Sequence, residues 1–175
     1  LRDKKSLTGD FRKASQDVAK VLAKEVARHV AKEKKIILVP ILRAGLALLP
    51  AFIGKFPEAP VGFIGLKRDE KTLMPRAYYQ NIPKISKKDI IILLDPMLAT
   101  GGSAVAGIGT LIADGAREEN IIFVGVISAP EGIENIQRHF PLVRILCAEY
   151  DKRLDKKGYI VPGLGDFGDR YFGTK

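Results

Sequence analysis

The sequence predicts an α/β fold with a mainly parallel central sheet flanked by helices. Two observations indicate this fold: short, unbroken apolar runs recur along the chain, and helix-like segments separate them. Helical connections between buried strands require right-handed crossovers, and ligands then bind at the carboxyl ends of the strands near the topological switch. The strand-like runs span residues 35–40, 61–66, 90–94, 121–127 and 143–148.

The chain is predicted to form a single domain over residues 1–175, with an N-terminal helix at 8–33, a core at 35–150 and a distinct C-terminal segment at 158–175. The helix is amphipathic, because lysines and arginines fill the positions between its apolar residues. The apolar positions at helical spacing are Phe11, Ala14, Val18, Val21, Leu22 and Val26.

Composition narrows the class of protein. With 175 residues and 46% hydrophobic composition the chain has ample core, and no apolar run reaches the roughly 18 residues of a membrane span. The single cysteine, Cys147, cannot form a disulfide within the chain, which favours a reducing, cytoplasmic location, and it is interpreted as a core residue. The net charge of +9 favours polyanionic partners, but the charges are scattered. The sequence does not interleave aromatic and basic residues as RNA-binding sheets do. A small phosphorylated substrate is therefore favoured over nucleic acid.

The rest of the chain is organised around residues 90–103, where a buried strand, Asp95, a small-residue loop and a helix start follow one another. Loop N–H groups and a helix dipole can hold a phosphate there. Neither the Walker pattern nor the dinucleotide pattern fits. The sequence lacks the lysine that the Walker pattern requires and the third glycine that the dinucleotide pattern requires. The order of acid, hydroxyls and glycines suits a sugar phosphate. The alternative is an ordinary turn in which Asp95 and Thr100 act as caps.

Two arginines follow other predicted strands and complete one candidate site. Arg43 lies just past the run at 35–40, where its guanidinium can bind a phosphate with two parallel hydrogen bonds. Arg68 lies at the base of the irregular stretch 67–88, which is interpreted as a lid or a disordered segment. The alternatives are a salt bridge at a helix start for Arg43 and a charged surface hairpin for Arg68.

The C-terminal segment differs from the rest. Residues 158–174 contain five glycines among apolar residues, which is too irregular for a helix and too apolar for a disordered end. Glycines allow the backbone to approach a flat ligand closely and read the polar edge of a base. The alternative is a docked tail whose glycines serve only its turns.

These motifs resemble the uracil phosphoribosyltransferase family. The run Leu94-Asp95-Pro96-Met97-Leu98-Ala99-Thr100-Gly101-Gly102-Ser103 is similar to the family's phosphoribosyl-pyrophosphate (PRPP) loop, and residues 158–174 are similar to its uracil-reading segment. Supporting similarity comes from Val39-Pro40-Ile41-Leu42-Arg43-Ala44-Gly45, Arg68-Asp69-Glu70, Ala129-Pro130-Glu131-Gly132 and Leu1-Arg2-Asp3-Lys4. The resemblance implies a type I phosphoribosyltransferase-like fold with a C-terminal base-binding hood.

The resemblance also implies an activity, the transfer of phosphoribosyl from PRPP to uracil, giving UMP and pyrophosphate in pyrimidine salvage. Magnesium would be carried by the PRPP and not held directly by the protein. Arg68, Asp95 and Asp166 would be catalytic. The implied PRPP contacts are Arg43, Arg68, Asp95, Pro96, Met97, Leu98, Ala99, Thr100, Gly101, Gly102, Ser103 and Asp166. The implied uracil contacts are Ile160, Gly165, Asp166 and Phe167.

Assembly is where the sequence departs from the family. Members carry a β-arm between the first helix and the next strand, but His29 lies only a few residues before Ile36. Either this member lacks the arm or the given sequence omits it; Leu1 also suggests a start inside a longer chain. A homodimer or homotetramer is expected, and activation by GTP stays open. The alternative function is a regulatory nucleotide-binding protein of the same fold that also binds RNA.

Overall fold

A computed structural model describes residues 1–31, 34–68 and 75–174, except for the side chain of Arg68. Its central sheet contains the parallel strands β1 (Ile36–Leu42), β2 (Phe63–Arg68), β4 (Ile90–Leu94), β6 (Ile121–Ser128) and β7 (Arg144–Tyr150). The antiparallel strand β3 (Pro75–Asn81) lies at one edge, and the short strand β5 (Met97–Leu98) pairs with β6. The order β3-β2-β1-β4-β6-β7 confirms the predicted mainly parallel α/β sheet.

Helices cover both faces of the sheet. They are α1 (Thr8–His29), α2 (Leu49–Lys55), α3 (Gly102–Ala113), α4 (Pro130–His139) and α5 (Phe167–Phe172), with 3-10 turns at Ala44–Ala47 and Glu118–Asn120. Alternate residues of β1 supply the two core layers: Leu38 packs on the side of α1 and α2, whereas Ile37 and Val39 pack on the side of α3. No helix among the described residues is long and apolar enough to cross a membrane.

Two local predictions were wrong. Helix α1 ends at His29 and does not reach residue 33, because Val30 takes an extended backbone (φ −110°, ψ 126°) and packs against the core. Residues 32 and 33 lie outside the described part. The stretch 67–88 is not wholly irregular, because Pro75–Asn81 forms strand β3, which pairs antiparallel with β2 as in the surface hairpin that was the alternative. Nearly all of β3 is exposed, so it has no apolar alternation by which a strand could be predicted.

The C-terminal segment folds back onto the α1 side of the sheet. Its first strand, β9 (Ile160–Val161), pairs antiparallel with β8 (Arg153–Leu154), which precedes the segment. Ile160, Leu164 and Phe167 are buried in the same core layer as α1. The ring of Phe167 meets that of Phe11 edge to face, with the ring centres 5.0 Å apart. This packing fixes the segment against the body of the protein.

Candidate active site

The topological switch of the sheet lies between β1 and β4. Strand β2, which follows β1 in the chain, lies on one side of β1. Strand β4 pairs with β1 on the other side, with Pro40 opposite Leu94. Arg43 is the first residue after β1, and Asp95 is the first after β4. A crevice opens between such strand ends because their connections diverge. The fold therefore brings Arg43 and Asp95 to the position where parallel sheets bind ligands.

Close packing at the switch requires a glycine. A Cβ atom at Gly45 would overlap the carbonyl oxygen of Leu94 and would lie 3.1 Å from Cβ of Pro40. The 3-10 turn that begins at Ala44 can therefore lie directly against the end of β4. This contact holds the connection after β1 beside Asp95.

The loop after β4 has two different parts. Pro96 and Leu98 are buried, and their carbonyl groups accept hydrogen bonds from the backbone of β6 and the residue that follows it. The Pro96 oxygen lies 2.9 Å from the amide of Val126, and the Leu98 oxygen lies 2.9 Å from that of Ala129. Among the predicted PRPP contacts, these residues build the floor of the loop and do not present side chains to solvent.

Residues 99–103 form the second part, which presents two side chains to solvent while Gly101 is buried. Thr100 and Ser103 are exposed, and Gly101 adopts a left-handed backbone (φ 78°) immediately before α3 begins at Gly102. The hydroxyl of Thr100 and the first N–H groups of α3 thus lie at the positive end of a helix dipole. Groups of this kind bind phosphate.

Helix α4 supports this loop from below. The side-chain amide of Asn135 donates a hydrogen bond of 2.8 Å to the carbonyl oxygen of Thr100. A Cβ atom at Gly132 would lie 2.5 Å from the carbonyl oxygen of Ala99, so only glycine fits there. Sequence reasoning did not assign either residue a role, although Gly132 lies in a motif that supported the family resemblance.

Asp95 has an altered ionisation. Burial of its carboxyl group at the end of β4 raises the pKa to about 7, and the weak opposing contact is the Met97 N–H, which lies 3.5 Å from Oδ1. Among the side chains that the structure describes, no nearby cation offsets the cost of burying the charge in this environment. Near neutral pH the group can therefore exist in either protonation state, and hydrogen-bond donors from a ligand would favour the charged form.

The C-terminal segment reaches the same crevice. A cavity of about 240 Å³ is lined by Arg43, Ala44 and Met97 together with Asp166, Phe167 and Gly168. In the predicted uracil-binding set, Ile160 and Phe167 are buried while Gly165 and Asp166 are exposed. Asp166 caps α5 by accepting a 2.9 Å hydrogen bond from the Asp169 amide. One cavity thus joins the residues after β1, the loop after β4 and the predicted base-reading segment.

Arg68 is the last residue of β2, at the same end of the sheet as Arg43. Its side chain lies outside the described residues, as do Asp69 and Glu70, so its catalytic and PRPP-binding roles stay predictions. No group of three or more His, Cys, Asp or Glu side chains in the described part of the chain could hold a metal ion.

The fold is that of the type I phosphoribosyltransferases. A purine phosphoribosyltransferase from Pyrococcus horikoshii superposes with a TM-score of 0.61 at 14% identity, covering 78% of this chain and 82% of that one. An APRTase from Giardia lamblia complexed with 9-deazaadenine gives 0.59 at 17% identity, covering 77% and 80%. At these identities the likeness concerns the fold alone.

Sequence comparison gives the particular family. The family model described as uracil phosphoribosyltransferase matches residues 5–174, and the chain belongs to that family. The uracil phosphoribosyltransferase of Bacillus licheniformis is 44% identical, covering 100% of this chain and 91% of that protein. The one from Limosilactobacillus fermentum is 42% identical, covering 100% and 92%.

A solved structure matches nearly the whole chain. The AQ2163 protein from Aquifex aeolicus superposes with a TM-score of 0.91 at 34% identity, covering 99% of this chain and 91% of that one. The alignment with the Bacillus licheniformis protein spans 193 positions. Because the sequence has 175 residues, it has no residue at 18 of these positions.

Proposed function

We propose that this protein transfers the phosphoribosyl group of PRPP to uracil, giving UMP and pyrophosphate in pyrimidine salvage. The observation that carries the proposal is the cavity shared by Arg43, Met97 and Asp166, because it joins a donor site to a base site. Membership of the uracil phosphoribosyltransferase family selects uracil among the bases.

The donor would lie across the crevice of the switch. Its 5′-phosphate would bind the exposed hydroxyls of Thr100 and Ser103 and the N-terminus of α3. The ribose hydroxyls would donate hydrogen bonds to Asp95. Arg43 and Arg68 would bind the diphosphate, which suits their charge and planar donors.

Magnesium would arrive with the donor, bound to its diphosphate and hydroxyl oxygens. This fits the described residues, which include no acidic or histidine cluster able to hold a metal ion by themselves. The ion would offset negative charge on the diphosphate when bound.

The chemistry requires stabilisation of separating charge. N1 of uracil forms the bond to C1 of the ribose as the bond from C1 to the diphosphate oxygen breaks, and N1 loses its proton. The ribose ring gains oxocarbenium character while negative charge collects on the leaving group. Arginines held close to the leaving group would stabilise this charge, and one such donor can lower the barrier by about 3 kcal/mol.

Base selection would depend on the backbone of Gly165 to Phe167. Uracil presents an acceptor, a donor and an acceptor along its polar edge, whereas cytosine presents an acceptor, an acceptor and a donor. A backbone edge matched to uracil leaves polar groups unpaired with cytosine, which can reduce turnover by roughly 10⁴-fold.

The test is UMP formation from uracil and PRPP with magnesium, with cytosine, orotate, hypoxanthine and adenine as parallel substrates. We expect turnover of uracil only. Comparable rates with cytosine would contradict the proposed base selection. Binding of UMP without turnover of any base would favour the regulatory, RNA-binding alternative, for which the net charge of +9 is the supporting observation.

Three further properties stay predictions. They are assembly as a homodimer or homotetramer, activation by GTP and a cytoplasmic location. Light scattering on purified protein tests the first, and the uracil assay with and without GTP tests the second.

A further inference from the structure

Asp151 is a buried carboxylate beside the C-terminal segment. It directly follows β7, and its side chain is only 5% exposed. Its two oxygens accept hydrogen bonds of 2.9 and 2.7 Å from the two terminal nitrogens of Arg2. The oxygen bonded at 2.9 Å also accepts a 2.7 Å hydrogen bond from the Gly163 amide. The carboxylate therefore joins the N-terminal segment to the C-terminal segment.

Arg2 completes the contact with Gly163. Its Nη1 atom donates a 3.0 Å hydrogen bond to the Gly163 carbonyl oxygen. The N–H and the C=O of this one residue are thus both held by the Arg2–Asp151 pair. Gly163 adopts a left-handed backbone (φ 63°), and a Cβ atom there would overlap the Ile160 carbonyl oxygen. The turn is therefore tight, and its polar groups have fixed partners.

The location of this turn gives the contact its importance. Gly163 lies between Ile160 and Gly165, the first two members of the set proposed to bind uracil. A second clamp follows at Arg170, which donates to the carbonyl oxygens of Leu164 and Leu1 at 2.6 Å each. The N-terminal segment is thus bonded to both sides of the proposed base-reading backbone.

We propose that Arg2 and Asp151 are positioning residues that set the base-reading backbone, and that they thereby determine the KM for uracil and the discrimination against cytosine. The proposal rests on the proposed function. Neither residue belongs to the sets proposed to contact PRPP or uracil. A site that reads a base with backbone groups has no side chain that could adjust, so its selectivity depends on where the backbone is held.

The principal test is Asp151→Asn, which removes the charge and one acceptor with little change in volume. We expect the KM for uracil to rise about tenfold and the rate ratio of uracil to cytosine to fall by a similar factor, since small displacements of binding groups have effects of this size or larger. The KM for PRPP should stay within about threefold, because the donor site lies on other segments.

Asp89→Asn is the matched control. Asp89 is similarly buried, with its side chain 6% exposed; it lies 3.5 Å from Lys35 and accepts a 2.9 Å hydrogen bond from the Ser86 amide. It directly precedes β4, at the end of the sheet opposite the site. This variant should lower the melting temperature but leave the uracil KM and the base ratio unchanged.

A second variant keeps the proposal testable if Asp151→Asn folds poorly. Arg2 is 42% exposed, so Arg2→Lys retains the charge and folds, but it lacks the paired donors. It should show a smaller rise in the uracil KM in the same direction. An equal rise in both KM values, or no change in the base ratio, would overturn the positioning role while the wild type remains active. A wild type that makes no UMP would overturn the proposed function itself.

Discussion

Arg43 and Asp169 link the end of β1 to the C-terminal segment. Nη2 of Arg43 lies 3.6 Å from Oδ1 of Asp169, and that oxygen also accepts a 2.7 Å hydrogen bond from the Thr174 hydroxyl. The Arg43 side chain is 60% exposed, so the pair contributes only about 0–1 kcal/mol to stability. A diphosphate can therefore replace Asp169 as the partner of Arg43 at little cost.

The first prediction concerns Arg43. Arg43→Gln should lower kcat/KM for PRPP by roughly 100-fold, because a charged donor to the diphosphate is lost, while the free energy of unfolding changes by less than about 1 kcal/mol. Steady-state kinetics and denaturant unfolding measure the two effects. Arg117→Gln is the control, since Arg117 is 57% exposed and lies 3.5 Å from Glu119 away from the crevice. Equal kinetics in the two variants would exclude Arg43 from the donor site.

The second prediction concerns the ionisation of Asp95. Burial raises its pKa to about 7, so kcat/KM for PRPP should rise with pH and level off above about 7, as the charged carboxylate accepts the ribose hydroxyls. Asp95→Asn should remove this rise. A pH profile with saturating uracil measures it.

The same group gives a readout that does not depend on activity. Because the folded-state pKa is raised above the unfolded value of about 3.9, the stability contribution is complete below that value and is lost as pH rises through about 7. Asp95→Asn should therefore reduce the decline in stability between these pH values. A variant that declines as steeply as the wild type would contradict the raised pKa.

The third prediction concerns the support of the phosphate loop. Gly132→Ala would place a Cβ atom 2.5 Å from the Ala99 carbonyl oxygen and 2.8 Å from Cγ of Leu98, so the loop must move. We expect a loss of about 1–3 kcal/mol in stability and a higher KM for PRPP. Gly54→Ala in α2 is the control, because nothing lies within 4 Å of its Cβ position. That variant should be neutral or slightly stabilising, and an equally neutral Gly132→Ala would show that the contact is not tight.

The fourth prediction concerns acid stability. The hydrogen bonds from Arg2, followed by that from the Gly163 amide, lower the pKa of Asp151 below its ordinary value against the opposing effect of burial. For a lowered pKa the stabilisation is present above the unfolded value of about 3.9 and is lost as pH falls through the folded value. Asp151→Asn should therefore lose less stability than the wild type as the pH falls below about 4, as thermal melts would show.

Much of the site could be predicted from the sequence because its elements are continuous in the chain. The buried strand before Asp95 and the glycine-rich loop after it lie in one stretch of residues 90–103, and a parallel sheet places Arg43 beside them. The family resemblance predicted a site at Asp166 and Phe167, which line the cavity. Strand β3 was missed, because an exposed edge strand lacks apolar periodicity.

The sequence by itself determined the fold class, the location of the proposed phosphate loop and the family, since these depend on patterns formed by residues that are neighbours in the chain. Only the tertiary structure decided which residues support the site. Asp151 and Arg2 are separated by 149 positions, and Asn135 reaches a loop 35 positions away. Partnerships of this kind arise when strands and helices pack, and hydrogen bonds between distant residues leave no periodic signal in the chain.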